Sequence, residues 1–247
     1  MKYDLQDVTF LLLVKLDTIE RLENVLAVLD YLSDNLNTTL TLWNVASFEN
    51  NVLNRLIPVN VSYSFCQDYD PILHRTKYLN KMIRSAQTPY VAVWDVDIVV
   101  AASQVVDAVE SLRNGNEVVY PYDTYFYDVP SPIKSMFYKT HDITTLFSYR
   151  DFMNPLYFPY PVGGAFIIRK ETYVKSGLEN EAFYGWGVED GERFVRWNKL
   201  GLKIRRIDGP LFHLSHPRGM NSLLLSDEDS IKKKRLLYAS ERIDYGV

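Results

Sequence analysis

Two aspartates one residue apart, Asp95-Val96-Asp97, follow five consecutive apolar residues at positions 90–94. If that run is a strand, both carboxylates emerge at its carboxyl end, where α/β sheets bind their ligands. Carboxylate oxygens suit hard cations such as Mg²⁺ or Mn²⁺, which bridge to the phosphates of a nucleotide. Surface turns also produce Asp-x-Asp, so the weight of this pair comes from the run before it. A second group is Tyr184-Gly185-Trp186-Gly187-Val188-Glu189-Asp190. Its glycines allow tight turns that hold the indole against a ligand, and the two acids fall in the first turn of a following helix. There they either complement the helix N-terminus or supply a general base for a hydroxyl nucleophile. His213-Leu214-Ser215-His216 holds two of the 4 histidines. It is either a metal-binding pair or two satisfied histidines at a sheet end. On the segment His74-Arg75-Thr76-Lys77-Tyr78-Leu79-Asn80, Arg75 and Lys77 suit phosphate and Asn80 suits a base or ribose. Basic residues on a helix are more often simply solvated.

The elements that must position these residues alternate. Residues 7–14 are a continuous apolar run, the pattern of a strand buried on both faces. Asp17-Thr18-Ile19-Glu20 resembles a capping box, and Ile19, Leu22, Val25, Leu26, Leu29 and Leu32 then recur at helical spacing. Further strands are expected over 39–45, 59–65, 90–94 and 117–120, and helices over 51–56, 72–86 and 103–114. Such alternation predicts an α/β fold, a Rossmann-like, mostly parallel sheet flanked by helices. The stretch Val14-Lys15-Leu16-Asp17-Thr18 lacks a Gly-rich phosphate fingerprint, which disfavours a dinucleotide site. Between 121 and 161, tyrosines, phenylalanines and six prolines crowd without periodicity, as in a long ordered excursion over the sheet. A strand over 163–169, a helix starting at Lys170, a helix over 189–200, a strand near 203–207 and a helix over 227–242 complete the pattern. The run Lys232-Lys233-Lys234-Arg235 reads as a solvated face, with attraction to an anionic membrane surface as the other reading. Without repeats or low-complexity linkers, one domain is expected.

With 27 Lys+Arg against 31 Asp+Glu the chain is mildly acidic, which argues against nucleic-acid binding by phosphate neutralisation. The single cysteine, Cys66, excludes an internal disulfide framework and fits a reducing compartment. No apolar run approaches the roughly 18 residues of a membrane span, so a soluble, cytoplasmic protein is expected.

The order of the motifs is itself informative. An Arg75-x-Lys77-x-x-Asn80 helix, Asp95-Val96-Asp97-Ile98, Gly163-Gly164, Gly185-Trp186-Gly187-x-Glu189-Asp190 and a late His216 occur in sequence. Together, over about residues 74–221, they resemble the β-1,4-galactosyltransferase family and relatives with a galactosyltransferase-type C-terminal region. Bacterial family 2-type glycosyltransferases, chondroitin-polymerase-like modules included, are similar. The resemblance implies a single GT-A domain, with a nucleotide-binding half over 1–120 and an acceptor and catalytic half over 121–247. It implies a metal-dependent, inverting transfer of a galactose or N-acetylhexosamine type of hexose from a UDP-sugar to a hydroxyl of a glycan or glycolipid. Mn²⁺ or Mg²⁺ would be the cofactor. Asp97 and His216 would ligate it, with His213 at a position that matches a Met ligand in the animal enzymes. Asp95 would approach the ribose and donor sugar, and Gly163 and Gly164 would lie near the sugar nucleotide. Asp190 matches the catalytic base, while Glu189 and Trp186 would line the acceptor and donor sugar. Asp17 would reach toward uracil, although Val14-Lys15-Leu16-Asp17 departs from the animal Pro-Phe-Arg-Asn-type stretch. Gly191 stands where those enzymes carry a third acid, and their disulfides and membrane anchor are not expected in a cytosolic enzyme of bacterial type. Peripheral association with the inner membrane face stays open.

Sugar rings stack on aromatic side chains, which suggests acceptor contacts among Tyr122, Tyr125, Tyr127, Tyr138, Tyr149, Tyr157 and Tyr160. Packing onto the sheet explains most tyrosines equally well. Two other classes fit parts of the pattern: a non-catalytic binder of sugar nucleotide or glycan, and a metal-dependent nucleotidyltransferase or phosphoesterase. The stretch from Trp186 to Asp190 favours glycosyl transfer over both.

Overall fold

In the computed structural model, residues 2–49 and 51–242 are described. The chain opens with β1 (Tyr3–Val14), α1 (Ile19–Asn35), β2 (Leu36–Ala46), α2 (Val52–Leu56), β3 (Val61–Gln67), α3 (Arg75–Ser85) and β4 (Tyr90–Trp94). Strand β1 is central because it is apolar on both faces: Val8, Phe10, Leu11, Leu12 and Val14 are each at most 1% exposed. Helix α1 starts where Thr18 Oγ1 accepts a 3.2 Å bond from the amide of Arg21. Of the expected stripe, Val25, Leu29 and Leu32 are buried together with Val28, whereas Leu22 and Leu26 are partly buried and Ile19 is exposed.

Then follow β5 (Ile98–Val100), α4 (Ala102–Arg113), β6 (Val118–Tyr120), β7 (Phe126–Val129), α5 (Ser131–Thr140), α6 (Ile143–Ser148) and β8 (Asn154–Leu156). The last elements are β9 (Ala165–Arg169), α7 (Lys170–Lys175), α8 (Glu189–Lys199), β10 (Ile204–Arg206), β11 (Leu211–Leu214) and α9 (Asp227–Arg242). Seven strands form the main sheet in the order β10-β6-β9-β4-β1-β2-β3. All of its neighbouring pairs are parallel except those of β9, which runs antiparallel to β4 and β6. The mostly parallel α/β sheet matches the expectation.

Residues 121–161 depart from it. They build β7, α5, α6 and β8, and two of these strands complete a second sheet in the order β5-β11-β7-β8. Strands of four and three residues are too short to show an alternating pattern. Pro155 sits in the edge strand β8, where a missing N–H is tolerated. This small sheet matters for the site. Strand β5 begins directly after Asp97 and pairs with β11, setting Ile98 opposite His213, while β7 sets Asp128 opposite His213 on the other side. Residues more than a hundred positions apart in sequence thereby meet at one corner.

Helix α9 packs on α8 and corrects the reading of the basic run. Lys233 is 1% exposed, and its Nζ donates to the carbonyl of Trp186 at 2.8 Å and to Asp229 Oδ2 at 2.7 Å. Lys232, Lys234 and Arg235 are exposed, so only these three are solvated. We expect Lys233→Met to destabilise the protein by about 1–3 kcal/mol by leaving the Trp186 carbonyl unpaired. The midpoint of urea unfolding measures this, and an unchanged midpoint would exclude the anchor. Among the described residues no helix is long and apolar enough to cross a membrane.

Candidate active site

A cleft of about 590 Å³ opens beyond the carboxyl end of β4, lined by Asp95, Asp97, Gly163, Gly164, Trp186, Glu189, Asp190, His213 and His216, among others. The turn that carries the two aspartates is closed by a 3.2 Å bond from the amide of Ile98 to the carbonyl of Asp95. The amide of Asp95 donates to the carbonyl of Gly164 at 2.9 Å, and that of Leu214 to the carbonyl of Asp97 at 2.8 Å. Backbone bonds thus tie the Asp-x-Asp turn to β9 and β11.

Asp97 Oδ2 lies 3.2 Å from His216 Nε2 and 3.9 Å from His213 Nε2. One ligand atom from each of the three residues lies within 4.8 Å of the other two. His213 Nδ1 is 2.7 Å from Asp128 Oδ1, and His216 Nδ1 is 2.9 Å from the carbonyl of Pro217. Each ring therefore donates from Nδ1 and turns Nε2 toward Asp97, the orientation of a metal-binding histidine. One carboxylate with two imidazoles suits Mn²⁺ better than Mg²⁺, which prefers oxygen ligands throughout. Burial works against the charge on Asp97, but the hydrogen bond to His216 and the charges of His213, His216 and Arg21 prevail and bring its pKa to about 2. For His213 burial is likewise outweighed, by the bond to Asp128 and the charge of Asp97, so its pKa is raised.

Arg75, at the start of α3, donates from Nη2 to Asp95 Oδ1 at 2.6 Å. Burial raises the pKa of Asp95 against the pull of Arg75. Its other terminal nitrogen, Nη1, is buried without a partner, and so is Glu189 Oε2. Burial, reinforced by the charge of Asp190 and opposed by Arg75, pushes Glu189 up to about 7. Two residues of the cleft lining, Arg75 and Glu189, thus carry an orphan donor and an orphan acceptor.

Asp190 stands in the first turn of α8, reached through left-handed backbone at Gly185 (φ +71°) and Gly187 (φ +109°). Glycine adopts that conformation without strain, which explains the two glycines around Trp186. Arg193 Nη2 donates to Asp190 Oδ1 at 2.5 Å. The other oxygen, Oδ2, would lie 2.7 Å from a Cβ at Gly163. We therefore expect Gly163→Ala to displace this carboxylate. If Asp190 acts on substrate, turnover falls by about 10²-fold, as for reacting groups misplaced by about 1 Å. Steady-state kinetics on the folded variant reads this, and unaltered turnover would show that the carboxylate yields freely.

Three expected residues, Asn80, Asp17 and Lys77, lie outside the cleft lining. Asn80 does not reach the cleft. Its amide nitrogen donates to the carbonyl of Glu179 at 3.0 Å and to Glu181 Oε1 at 2.9 Å, and its oxygen accepts from the amide of Glu179 at 2.8 Å. Both amide hydrogens and one acceptor site of this buried side chain are spent on pinning the segment before Trp186, away from the cleft lining. Asp17 lies outside the lining of the cleft, accepting from Arg21 Nε at 2.9 Å and Asn221 Nδ2 at 3.3 Å. Of the tyrosines named above, Tyr157 and Tyr160 line the cleft. Tyr122 is fully buried, Tyr125 and Tyr127 stack on each other at 5.5 Å, and Tyr138 donates to Asn24.

Other cleft residues carry weaker sequence signals. Arg21 bonds Ser222 Oγ at 2.9 Å and lies 3.9 Å from Asp97 Oδ2. Its one local hint is its place four residues after Asp17, a helical ion-pair spacing. Arg218 donates to the hydroxyl of Tyr157 at 2.9 Å and sits 5.4 Å over the Trp186 ring. No local pattern reveals that bridge, because its partners lie on distant segments.

Comparison with known proteins agrees with this geometry. Residues 147–218 match the sequence model of a family described as the N-terminal domain of galactosyltransferase. That stretch contains Gly163, Gly164, Trp186, Glu189, Asp190, His213 and His216. Over 85 residues the chain is 29% identical to beta-1,4-galactosyltransferase 7 of Drosophila melanogaster, covering 34% of this chain and 23% of that protein. The chain thus matches less than a quarter of the length of that curated relative. Its fold resembles the catalytic domain of Drosophila beta-1,4-galactosyltransferase 7 in complex with xylobiose, with TM-score 0.58 and 15% identity over 92% of this chain and 79% of that one. A mutant of that enzyme in complex with manganese, UDP-Gal and xylobiose matches with TM-score 0.57 and 15% identity over 91% and 79% of the two chains. Glucosyl-3-phosphoglycerate synthase of Mycobacterium tuberculosis, in complex with Mn²⁺, UDP and phosphoglyceric acid, gives TM-score 0.55 and 16% identity over 97% and 80%. The fold is that of the GT-A glycosyltransferases.

Proposed function

We propose that this protein is a metal-dependent, inverting glycosyltransferase that moves a hexose of galactose or N-acetylhexosamine type from a UDP-sugar to a glycan hydroxyl. The observation that carries this reading is one cleft holding both the Asp97, His213 and His216 cluster and the free oxygen of Asp190. Strands β1 to β6 supply most of the nucleotide side, and the chain beyond residue 120 supplies the acceptor side and adds His213, His216 and Glu189 to the donor side.

Asp97, His213 and His216 would hold Mn²⁺, which would supply Lewis-acid stabilisation of the departing diphosphate. The unpaired Arg75 Nη1 and Glu189 Oε2 each suit a sugar hydroxyl, which would accept from the first or donate to the second. Such a hydroxyl belongs to the donor hexose, with Asp95 beside it. Trp186, Tyr157 and Tyr160 offer apolar ring faces to the acceptor sugar. Asp190 Oδ2 takes the proton of the acceptor hydroxyl as its oxygen bonds to the anomeric carbon. The electron pair of the bond that breaks leaves with the nucleoside diphosphate, and the configuration at that carbon inverts.

A thermal-shift series with UDP-, GDP- and TDP-sugars, each with and without Mn²⁺, tests this function, with product analysis on the pairs that bind. The expected result is a Mn²⁺-dependent rise in Tm for UDP-sugars and release of UDP with sugar transferred. Binding without turnover on any acceptor would favour a non-catalytic binder, and nucleotide joined to the product a nucleotidyltransferase. Either outcome overturns the proposal.

A further inference from the structure

We propose that Arg193 is a positioning residue that aims Asp190, and that Glu179 and Tyr173 hold it in place; this rests on the reading of Asp190 as the base. Arg193 is 0% exposed. Its Nη1 reaches both oxygens of Glu179, at 2.9 Å and 3.0 Å, and its Nη2 reaches Asp190 Oδ1 at 2.5 Å and the carbonyl of Val162 at 3.4 Å. The hydroxyl of Tyr173 donates to Glu179 Oε1 and closes the chain on its far side. The rings of Phe166 and Trp197 lie 4.3 Å and 5.3 Å from the guanidinium carbon and leave it no room to swing.

The arrangement has a direction. Tyr173, Glu179 and Arg193 are buried, whereas the side chain of Asp190 is 28% exposed and lines the cleft. A buried interior chain therefore ends on one partly exposed carboxylate and holds it by Oδ1. The remaining oxygen, Oδ2, is the one that faces Gly163 and the cleft. Packing alone gives little reason for this design. A buried ion pair is often no more stabilising than apolar residues of the same volume, and Arg193 Nε stays buried without a partner. A planar guanidinium, with two arms at fixed angles, does what a lysine cannot: it grips Glu179 and orients Asp190 at once.

The test compares Arg193→Lys, Arg193→Met, Glu179→Gln and Tyr173→Phe in the full chain. Four quantities are measured: Tm, Kd for UDP with Mn²⁺ by calorimetry, acceptor KM, and kcat at saturating donor and acceptor. We expect kcat to fall by about tenfold to 10²-fold in Arg193→Lys and Glu179→Gln, and further in Arg193→Met. Kd and KM stay within about twofold, because the chain touches neither substrate. Tyr173→Phe, at the far end, lowers kcat least. A folded Arg193→Lys or Glu179→Gln variant with wild-type kcat overturns the proposal. A loss of kcat that merely tracks lost Tm across the set, or failure of all the Arg193 and Glu179 variants to fold, assigns the chain to scaffold alone and overturns it equally. Failure of the glycosyl-transfer reading itself shows separately, as a wild-type protein that transfers no sugar.

Discussion

Asp190→Asn is expected to lower sugar transfer by about 10²–10⁴-fold, the usual contribution of a positioned general base, with UDP-sugar and Mn²⁺ still binding. The amide is isosteric with the carboxylate and keeps an oxygen for Arg193, so the local packing survives. What it lacks is the ability to take a proton at Oδ2, the atom that faces Gly163. Donor affinity is preserved because the proposed metal ligands, Asp97, His213 and His216, are untouched. Kinetics with saturating acceptor and calorimetry with UDP and Mn²⁺ separate the two effects. The neighbouring acid offers a clear rival. Glu189, pushed up to about 7 by burial and the charge of Asp190, would also take a proton near neutral pH. If Asp190→Asn retains near wild-type turnover and Glu189→Gln loses it, the base is Glu189.

Asp97→Ala is expected to remove Mn²⁺-dependent donor binding. Loss of a group that only supports a metal ligand already costs about 10–100-fold in affinity, and here the carboxylate ligand itself is lost. The turn should keep its shape, because Asp97 is tied to β11 through its carbonyl oxygen, which alanine retains. The two histidines stay oriented by Asp128 and the carbonyl of Pro217. Calorimetry with UDP-sugar, with and without Mn²⁺, measures the change. Equal affinity in wild type and variant would falsify the placement of the metal at Asp97. Replacing His213 by Ala then gauges the share of that imidazole.

Much of this was legible in the sequence, for a local reason. A strand buried on both faces must be largely apolar, and the second half of β1 and all of β4 are written that way. An amphipathic helix repeats about every 3.6 residues, and α1 repeats so. The Asp-x-Asp pair is visible because a polar pair follows an apolar run, and the glycines around Trp186 because left-handed backbone favours glycine. The small sheet was hidden, since strands of three or four residues carry no period.

Side-chain partners were beyond the reach of local pattern. Asn80 and Arg75 lie five positions apart on one helix, yet the first is consumed by Glu179 and Glu181 while the second faces the cleft. Lys233 and Lys234 are adjacent, yet one is buried against the Trp186 carbonyl and the other is exposed. The sequence by itself determined the residue types, the α/β layering and the order in which the acidic, glycine-rich and histidine motifs appear. Only the tertiary structure decided that Asp97 meets His213 and His216, that Asp190 is gripped by Arg193 with one oxygen left free, and that Asn80 is structural. Periodicity records each segment's own burial. Contacts between segments a hundred residues apart exist only once the strands have chosen their neighbours.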